Sequence, residues 1–211
     1  MWPPEAIEFL GELEDNNDRE WFRANRKRYD ADLVAPARAL ADKLSDLGEP
    51  YFFRPYRDTR FHPGPPIKEQ LGVAIGQGGA GGFYFELSLD GLFLAAGLHQ
   101  PAPDQLERFR AAIADDRRAR GFERVLGKAQ AAELQPGEPE LKRAPKGYSP
   151  DHPRIDRLRM KQLTVSCRHE LKPWLHTAKC DRQVITQLTA ARPLVIWLAE
   201  TVGPSTQPRR R

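Results

Sequence analysis

Two polar segments of this 211-residue sequence contain residue types from which a binding or catalytic site could be built. The first holds Arg57, Asp58 and Arg60, followed by Lys68. Arginine guanidinium groups bind carboxylates and phosphates through paired hydrogen bonds, so these four residues are predicted to bind an anionic ligand. On a strand, Asp58 and Arg60 would share one face. The alternative interpretation is therefore an ion pair that fixes the end of a strand.

The second segment holds Lys146, Tyr148, Asp151 and His152. Lys146 precedes Gly147, so a cation and an unobstructed backbone N–H could meet the same anion. Lys146 and Tyr148 are thus predicted ligand contacts. Asp151 and His152 are the catalytic candidates, because a carboxylate beside an imidazole can orient it for proton transfer. The alternative is that Asp151 caps the start of a helix.

A helical stripe near the N-terminus supplies two further candidate contacts. Asn17, Trp21 and Asn25 recur every four residues and would line one face of a helix. Trp21 and Asn25 are predicted to face the ligand. A polar stripe that meets a loop is the alternative.

The leading hypothesis is a small-molecule-binding protein or enzyme whose anion pocket forms where the two polar segments meet. Its ligand would be a phosphate or carboxylate. Nucleic-acid binding is a second possibility, because residues 142–161 hold seven Lys or Arg against two Asp and the chain ends in three arginines. A protein–protein adaptor anchored by Trp2 and Trp21 is a third.

Other function classes are not indicated. The sequence contains neither G-x-S-x-G nor H-E-x-x-H, and no cofactor or metal is predicted. The glycine-rich run 76–82 is followed by a predicted strand rather than a helix, which favours a hairpin loop over a phosphate-binding loop. Two cysteines do not make a disulfide framework, which favours a reducing cytoplasm. No apolar run approaches the roughly 18 residues that span a bilayer, and the start lacks the features of a secretory signal.

The surrounding pattern predicts the elements that position these residues. Asn17 is the expected N-cap of a helix in which Pro36 causes a kink or a break. Alternating apolar residues over 83–89 and 92–99 predict a hairpin that turns at Asp90-Gly91. Further helices are expected over 4–13, from 103, near 121–130 and over 181–202, with further strands at 71–75 and 161–168.

This order of elements predicts an α+β fold with a mostly antiparallel sheet. The hairpin meander lies at its centre, and helices flank it at both ends of the chain. Residues 1–204 are expected to form a single domain, followed by a disordered basic tail over 205–211. Oligomeric state is left open, and no membrane association is predicted.

Several short motifs, taken in order, resemble the domain of unknown function (DUF) family 2461. The resemblance extends over residues 4–202 and implies a stand-alone cytoplasmic domain, without an established activity, cofactor or substrate. The residues that carry it are Asn16-Asn17-Asp18-Arg19-Glu20-Trp21-Phe22 with Asn25 and Tyr29, then Arg57-Asp58-Thr59-Arg60-Phe61 with Lys68, and Pro145-Lys146-Gly147-Tyr148 with Asp151-His152-Pro153 and Lys161.

The chain departs from the family pattern in one loop. Residues 62–68 are one residue shorter than the family's Ser-x-Asp-Lys-x-Pro-Tyr-Lys, with Gly64 in place of the acid and Ile67 in place of the tyrosine. If that loop carries the family's chemistry, this chain has lost part of it or uses His62 instead.

Overall fold

A computed structural model describes residues 1–58, 64–76 and 78–207 of the chain. Its described strands form one six-stranded antiparallel sheet in the order β1-β2-β3-β4-β6-β5. Register places Tyr51 opposite Ala74 and Phe52 opposite Val73. The strands are β1 (Pro50–Phe52), β2 (Gln70–Ile75), β3 (Gly82–Ser88), β4 (Gly91–Leu98), β5 (Gln135–Pro136) and β6 (Leu163–His169).

Helices precede and follow the central strands. A π-helical segment, Tyr29–Val34, and short 3-10 turns at Ser45–Leu47 and Pro173–His176 add to them. The α-helices are α1 (Pro4–Asp15), α2 (Arg19–Ala24), α3 (Arg26–Arg28), α4 (Ala35–Asp42), α5 (Pro103–Ala114), α6 (Asp116–Ala131), α7 (Ile155–Leu158) and α8 (Ala178–Thr201). The predicted α+β class and antiparallel sheet are confirmed. None of the helices in the described ranges has the length and apolarity to cross a membrane.

The chain divides into two compact units. The first comprises Met1–Ile75, Tyr84–Leu94 and Arg168–Thr186. The second comprises Gly76–Phe83, Ala95–Cys167 and Gln187–Arg211. The expectation of one domain over residues 1–204 stays a prediction.

The core of the first unit is built on one face of the sheet. Trp2 is buried with its ring edge-on to Phe85, at a centroid distance of 6.1 Å. Phe9 of α1 packs against Tyr29. Because side chains alternate along a strand, burying Phe85 turns its neighbours Tyr84 and Glu86 toward the opposite face.

Asp18, not Asn17, caps α2. Its carboxylate accepts hydrogen bonds from the backbone N–H groups of Glu20 and Trp21. The predicted cap was therefore wrong by one residue, because the side chain of Asn17 binds a different segment, described below.

The predicted kink at Pro36 takes the form of the π-helical segment that precedes α4. Proline lacks an N–H and its ring clashes with the carbonyl four residues earlier. A wider turn, in which the N–H of Ala35 donates to the carbonyl of Asp30, leads into Pro36 at the start of α4.

The β3–β4 hairpin turns at Leu89-Asp90, one residue earlier than predicted. Gly91 is already the first residue of β4, with φ of 116°. A Cβ there would overlap the carbonyl of His169. Glycine is thus required by the close approach of a neighbouring strand rather than by the turn.

The second unit has an aromatic cluster of its own. Phe122 of α6 lies 5.4 Å from Phe109 of α5 and 5.1 Å from Trp197 of α8, between ring centroids. Gly121 leaves room for Trp197, whose Nε1 would be 3.2 Å from an added Cβ.

Candidate functional site

The segment that carries Lys68 is held by backbone pairing. The N–H of Lys68 donates to the carbonyl of Pro55, and the N–H of Arg57 donates to that of Pro66, each at 2.8 Å. An isolated bridge joins Tyr56 to Ile67. Because proline carbonyls accept although proline cannot donate, the proline-rich sequence still supports this antiparallel pairing.

Asn17, which lies between α1 and α2, holds the same segment through its side chain. Its amide donates to the carbonyl of Ile67 and accepts from the N–H of Ile67, both at 3.0 Å. It also donates to Glu69 Oε1 at 2.6 Å. Asn17 therefore positions Ile67 and Glu69, the residues on either side of Lys68.

A concavity of about 230 Å³ lies beside this segment, on the sheet face opposite the core of the first unit. We call it the Tyr84 concavity. It is lined by Phe53, Lys68, Gln70, Gly72 and Tyr84, all of which belong to the first unit.

An aromatic row crosses this face of the sheet. Ring centroids are 5.1 Å apart for Tyr51 and Phe53, 6.0 Å for Phe53 and Tyr84, and 6.3 Å for Tyr84 and Phe93. Arg168 lies over the ring of Phe93 at 4.9 Å. The row thus combines π-surface with a cation at one end.

A carboxylate fixes the phenol of Tyr84. Both Tyr84 Oη and Gln70 Nε2 donate to Glu86 Oε2 at 2.5 Å. Burial, together with the hydrogen bond and charge of Glu86, raises the pKa of Tyr84 far above its usual range. The phenol therefore remains a protonated donor at physiological pH.

Lys68 supplies the positive charge at the Tyr84 concavity. Its ammonium lies 5.6 Å from the ring centroid of Phe53. Burial lowers the pKa of Lys68, and the neighbouring charges of Arg54 and Arg57 lower it further. The positive charges of Arg54 and Arg57 are thus close enough to repel that of Lys68.

The residues predicted in the first polar segment have three outcomes. Arg57 and Lys68 come together through the backbone pairing. Asp58 is half-buried and follows Arg57 in the same strand-like stretch. Arg60 and His62 lie outside the described residues, and so does the predicted pairing of Arg60 with Asp58.

Trp21 and Asn25 have structural contacts in the N-terminal helices. The ring of Trp21 lies 5.5 Å from that of Phe9, between centroids. The amide of Asn25 donates to the carbonyl of Trp21 and accepts from Arg28. Their predicted role as ligand contacts stays a prediction.

The second polar segment belongs to the second unit. The N–H of Tyr148 donates to the carbonyl of Pro145 and closes a turn. Gly147 has φ of 89°, which suits the third position of a type II turn and disfavours larger residues. The backbone conformation of this turn therefore explains why the Pro-Lys-Gly-Tyr motif contains glycine at position 147.

His152 is engaged through one ring nitrogen. The backbone N–H of Arg154 donates to His152 Nδ1 at 3.0 Å, so this nitrogen is an acceptor. Proton transfer by His152 would have to use Nε2. The predicted pairing of Asp151 with this imidazole stays a prediction, as does a pocket shared by the two polar segments.

The basic stretch 142–161 is partly neutralised by ion pairs. Arg154 pairs with Asp116, Arg157 with Glu123 and Arg159 with Asp156. Arg154 also donates to the carbonyl of Ile113. Several arginines of this stretch thus form ion pairs and hydrogen bonds within the second unit.

Neither cysteine is activated as a nucleophile. Burial raises the pKa of both thiols to about 11, with nearby Glu133 adding to the effect at Cys167. Within the part of the chain that the structure describes, neither cysteine forms a disulfide. Within the described residues, no group of His, Cys, Asp and Glu could hold a metal ion.

The site predicted from the sequence did not include Phe53, Gln70, Gly72 or Tyr84. The available signals were the alternating apolar residues over 83–89, which leave Tyr84 and Glu86 on the other face of that strand, and a glycine within the predicted strand 71–75. A glycine there often marks a close approach of another group.

Comparison with known proteins identifies one family. The model of a family described as "Conserved hypothetical protein (DUF2461)" matches residues 5–197. The match confirms the resemblance predicted from the motifs. No curated protein and no solved structure matches the chain.

Proposed function

The chain belongs to the DUF2461 family, whose description names no activity, and we propose from its own geometry that it binds a small phosphate or carboxylate anion in the Tyr84 concavity. The observation that carries this proposal is the position of Lys68. Its ammonium lines a concavity, beside the ring of Phe53 and close to the charges of Arg54 and Arg57.

An anion in the concavity would relieve the repulsion among these cations. It would also form charge-assisted hydrogen bonds with Lys68, which are about twice as strong as neutral ones. Since half-burial already lowers the hydration of Lys68, binding there costs less additional desolvation than at a fully exposed lysine. Arg57 and, from the sequence, Arg60 are the proposed additional contacts.

The second polar segment has a proposed role of its own. Lys146 and Tyr148 remain proposed anion contacts, and His152 with Asp151 remains the proton-transfer candidate if the ligand is a substrate. The proposed setting is the cytoplasm, because a 211-residue chain with two cysteines is not a disulfide-stabilised scaffold.

A thermal-shift screen tests the proposal. Phosphate, sulfate and acetate are titrated against wild type, Lys68→Met and Lys27→Met, the last being an exposed lysine of the same unit. A ligand at 100 times its Kd stabilises by about 2.7 kcal/mol, or several degrees in Tm. We expect a shift in wild type and Lys27→Met that Lys68→Met loses.

Two results would contradict it. If none of the anions shifts wild type, the concavity does not bind small anions. If Lys68→Met responds like wild type, the anion binds elsewhere on the chain.

Nucleic-acid binding is the weaker alternative because ion pairs neutralise part of the basic stretch 142–161. A salt titration distinguishes it, since affinity for a polyanion falls steeply with ionic strength.

A further inference from the structure

The ring of Tyr84 leans across the neighbouring strand. A Cβ built on Gly72 would overlap Tyr84 Oη and lie 3.1 and 3.2 Å from two other atoms of the ring. The phenol therefore occupies the space above Gly72 that a side chain would fill. The absence of a side chain at position 72 lets the ring cover the backbone of β2 and border the Tyr84 concavity.

The flanking rings stand at steep angles to this one. The plane of Phe53 is inclined by 72° and that of Phe93 by 62° to the plane of Tyr84. Phe53 is 37% exposed and borders the same concavity. The site thus contains two rings in different orientations, with the ammonium of Lys68 beside one of them.

The phenol of Tyr84 is also held in place before any ligand arrives. Its hydroxyl donates to Glu86, which accepts from Gln70 as well. A ring fixed in this way loses little conformational entropy when a ligand packs against it.

The size of the concavity limits the ligand. Its volume of about 230 Å³ is below the roughly 300–1,000 Å³ typical of pockets for drug-sized compounds. A single ring with one charged substituent matches this space better than a two-ring compound or a dinucleotide.

We propose that the ligand is a planar, single-ring aromatic or heteroaromatic anion that stacks on Tyr84 and directs its carboxylate or phosphate to Lys68. This inference deepens the proposed function and rests on it. Aromatic carboxylates and pyrimidine nucleotides share this chemistry, because each joins a flat π-surface to an anionic group. Stacking favours the planar ring over a saturated ring of similar size and equal charge.

Two matched pairs of probes test the inference by NMR titration. The first pair is benzoate and cyclohexanecarboxylate, and the second is uridine 5′-monophosphate and ribose 5-phosphate. The proteins are wild type, Tyr84→Leu, Tyr84→Phe and the control Tyr51→Leu, whose ring is 56% exposed and does not line the concavity.

We expect at least one planar probe to bind wild type about tenfold more tightly than its partner without the ring. Tyr84→Phe and Tyr51→Leu should keep most of this preference, and Tyr84→Leu should lose it. A preference in the first pair identifies an aromatic carboxylate site, and one in the second pair a nucleotide site. Because the Tyr84→Leu substitution could unfold the protein, a second measurement uses wild type. It detects contacts between the planar probe and the labelled tyrosine rings by NMR.

The outcomes separate the two proposals. Equal binding within both pairs, or no contact between the planar probe and a tyrosine ring, overturns the aromatic inference while anion binding stands. If none of the four probes binds wild type, the aromatic inference fails, and the thermal-shift screen with phosphate, sulfate and acetate decides whether anion binding stands.

Discussion

Asn17 links the N-terminal helices to the segment that carries Lys68. Its side chain forms two hydrogen bonds with the backbone of Ile67, as a neighbouring strand would, and a third with the side chain of Glu69. Removing a partner from such a part-buried polar group costs about 1–3 kcal/mol.

Asn17→Ala is therefore expected to lower the free energy of unfolding by about 1–3 kcal/mol and to weaken anion binding at Lys68. The matched control is Asn16→Ala, because Asn16 makes an exposed hydrogen bond to the carbonyl of Glu12. Urea denaturation of both variants measures the difference. Equal losses in the two variants would show that Asn17 does not hold the Lys68 segment.

At the scale of elements, α5 anchors the chain after α8 through one carboxylate. Asp104 accepts hydrogen bonds from the N–H of Thr206 at 2.9 Å and from the hydroxyl of Ser205 at 2.7 Å. It also pairs with Arg108. The hydrogen bonds from Thr206 and Ser205 and the charge of Arg108 lower the pKa of Asp104 to about 2, from an ordinary value of 3.8, although partial burial opposes them.

This shift has a definite sign in a pH titration. A carboxyl group whose pKa is lower in the folded state stabilises the fold above the unfolded pKa, and the effect is lost as pH falls toward the folded pKa. The contribution of Asp104 should be complete above about pH 4 and disappear toward pH 2. Its protonation should release residues 205–206 from α5.

Amide exchange at Thr206, followed from pH 5 to pH 2, measures this release. Asp104→Asn should show rapid exchange throughout, and Glu107→Gln, an exposed acid on the same helix, should behave like wild type. An exchange rate in wild type that follows only the intrinsic pH dependence would contradict the prediction.

At the scale of the whole molecule, the cysteines report on opening of the fold. Cys180 is fully buried, and burial raises the pKa of both thiols to about 11. Against an ordinary value of 9.0, this leaves about a hundredfold less thiolate at pH 8.

The native chain should therefore react with iodoacetamide at pH 8 at least about a hundredfold more slowly than the urea-unfolded chain. Mass spectrometry after timed quenching measures each thiol separately. Rapid modification of Cys180 under native conditions would show that the first unit opens without global unfolding.

The sequence predicted the elements better than the site, and the reason lies in the range of the interactions involved. Alternating apolar residues and a proline at the start of α5 are local signals, and they placed the hairpin and that helix. The Tyr84 concavity joins residues of β2 and β3 with Phe53, which follows β1, and Lys68, which precedes β2. Their proximity depends on the pairing of β1, β2 and β3. Lys68 was predicted from its charge, whereas Tyr84 looked like any exposed strand residue.

The one-residue errors in the predicted helix cap and hairpin turn also arose from contacts between residues distant in the sequence. Asn17 has the residue type and position of a cap, but its partner, Ile67, lies far away in the sequence. Gly91 resembles a turn glycine, but the carbonyl of His169 decides its place in the hairpin.

Because a Cβ at position 72 would overlap the phenol of Tyr84, the two positions are also coupled in the evolution of the sequence. Alanine at 72 forces the phenol aside, and loss of the ring at 84 leaves the backbone of β2 uncovered. Each position therefore restricts the substitutions accepted at the other, as in the known pairing of strand glycines with cross-strand aromatics. Substitution would have to proceed as a coordinated exchange, in which a smaller side chain at 84 makes a larger one at 72 acceptable.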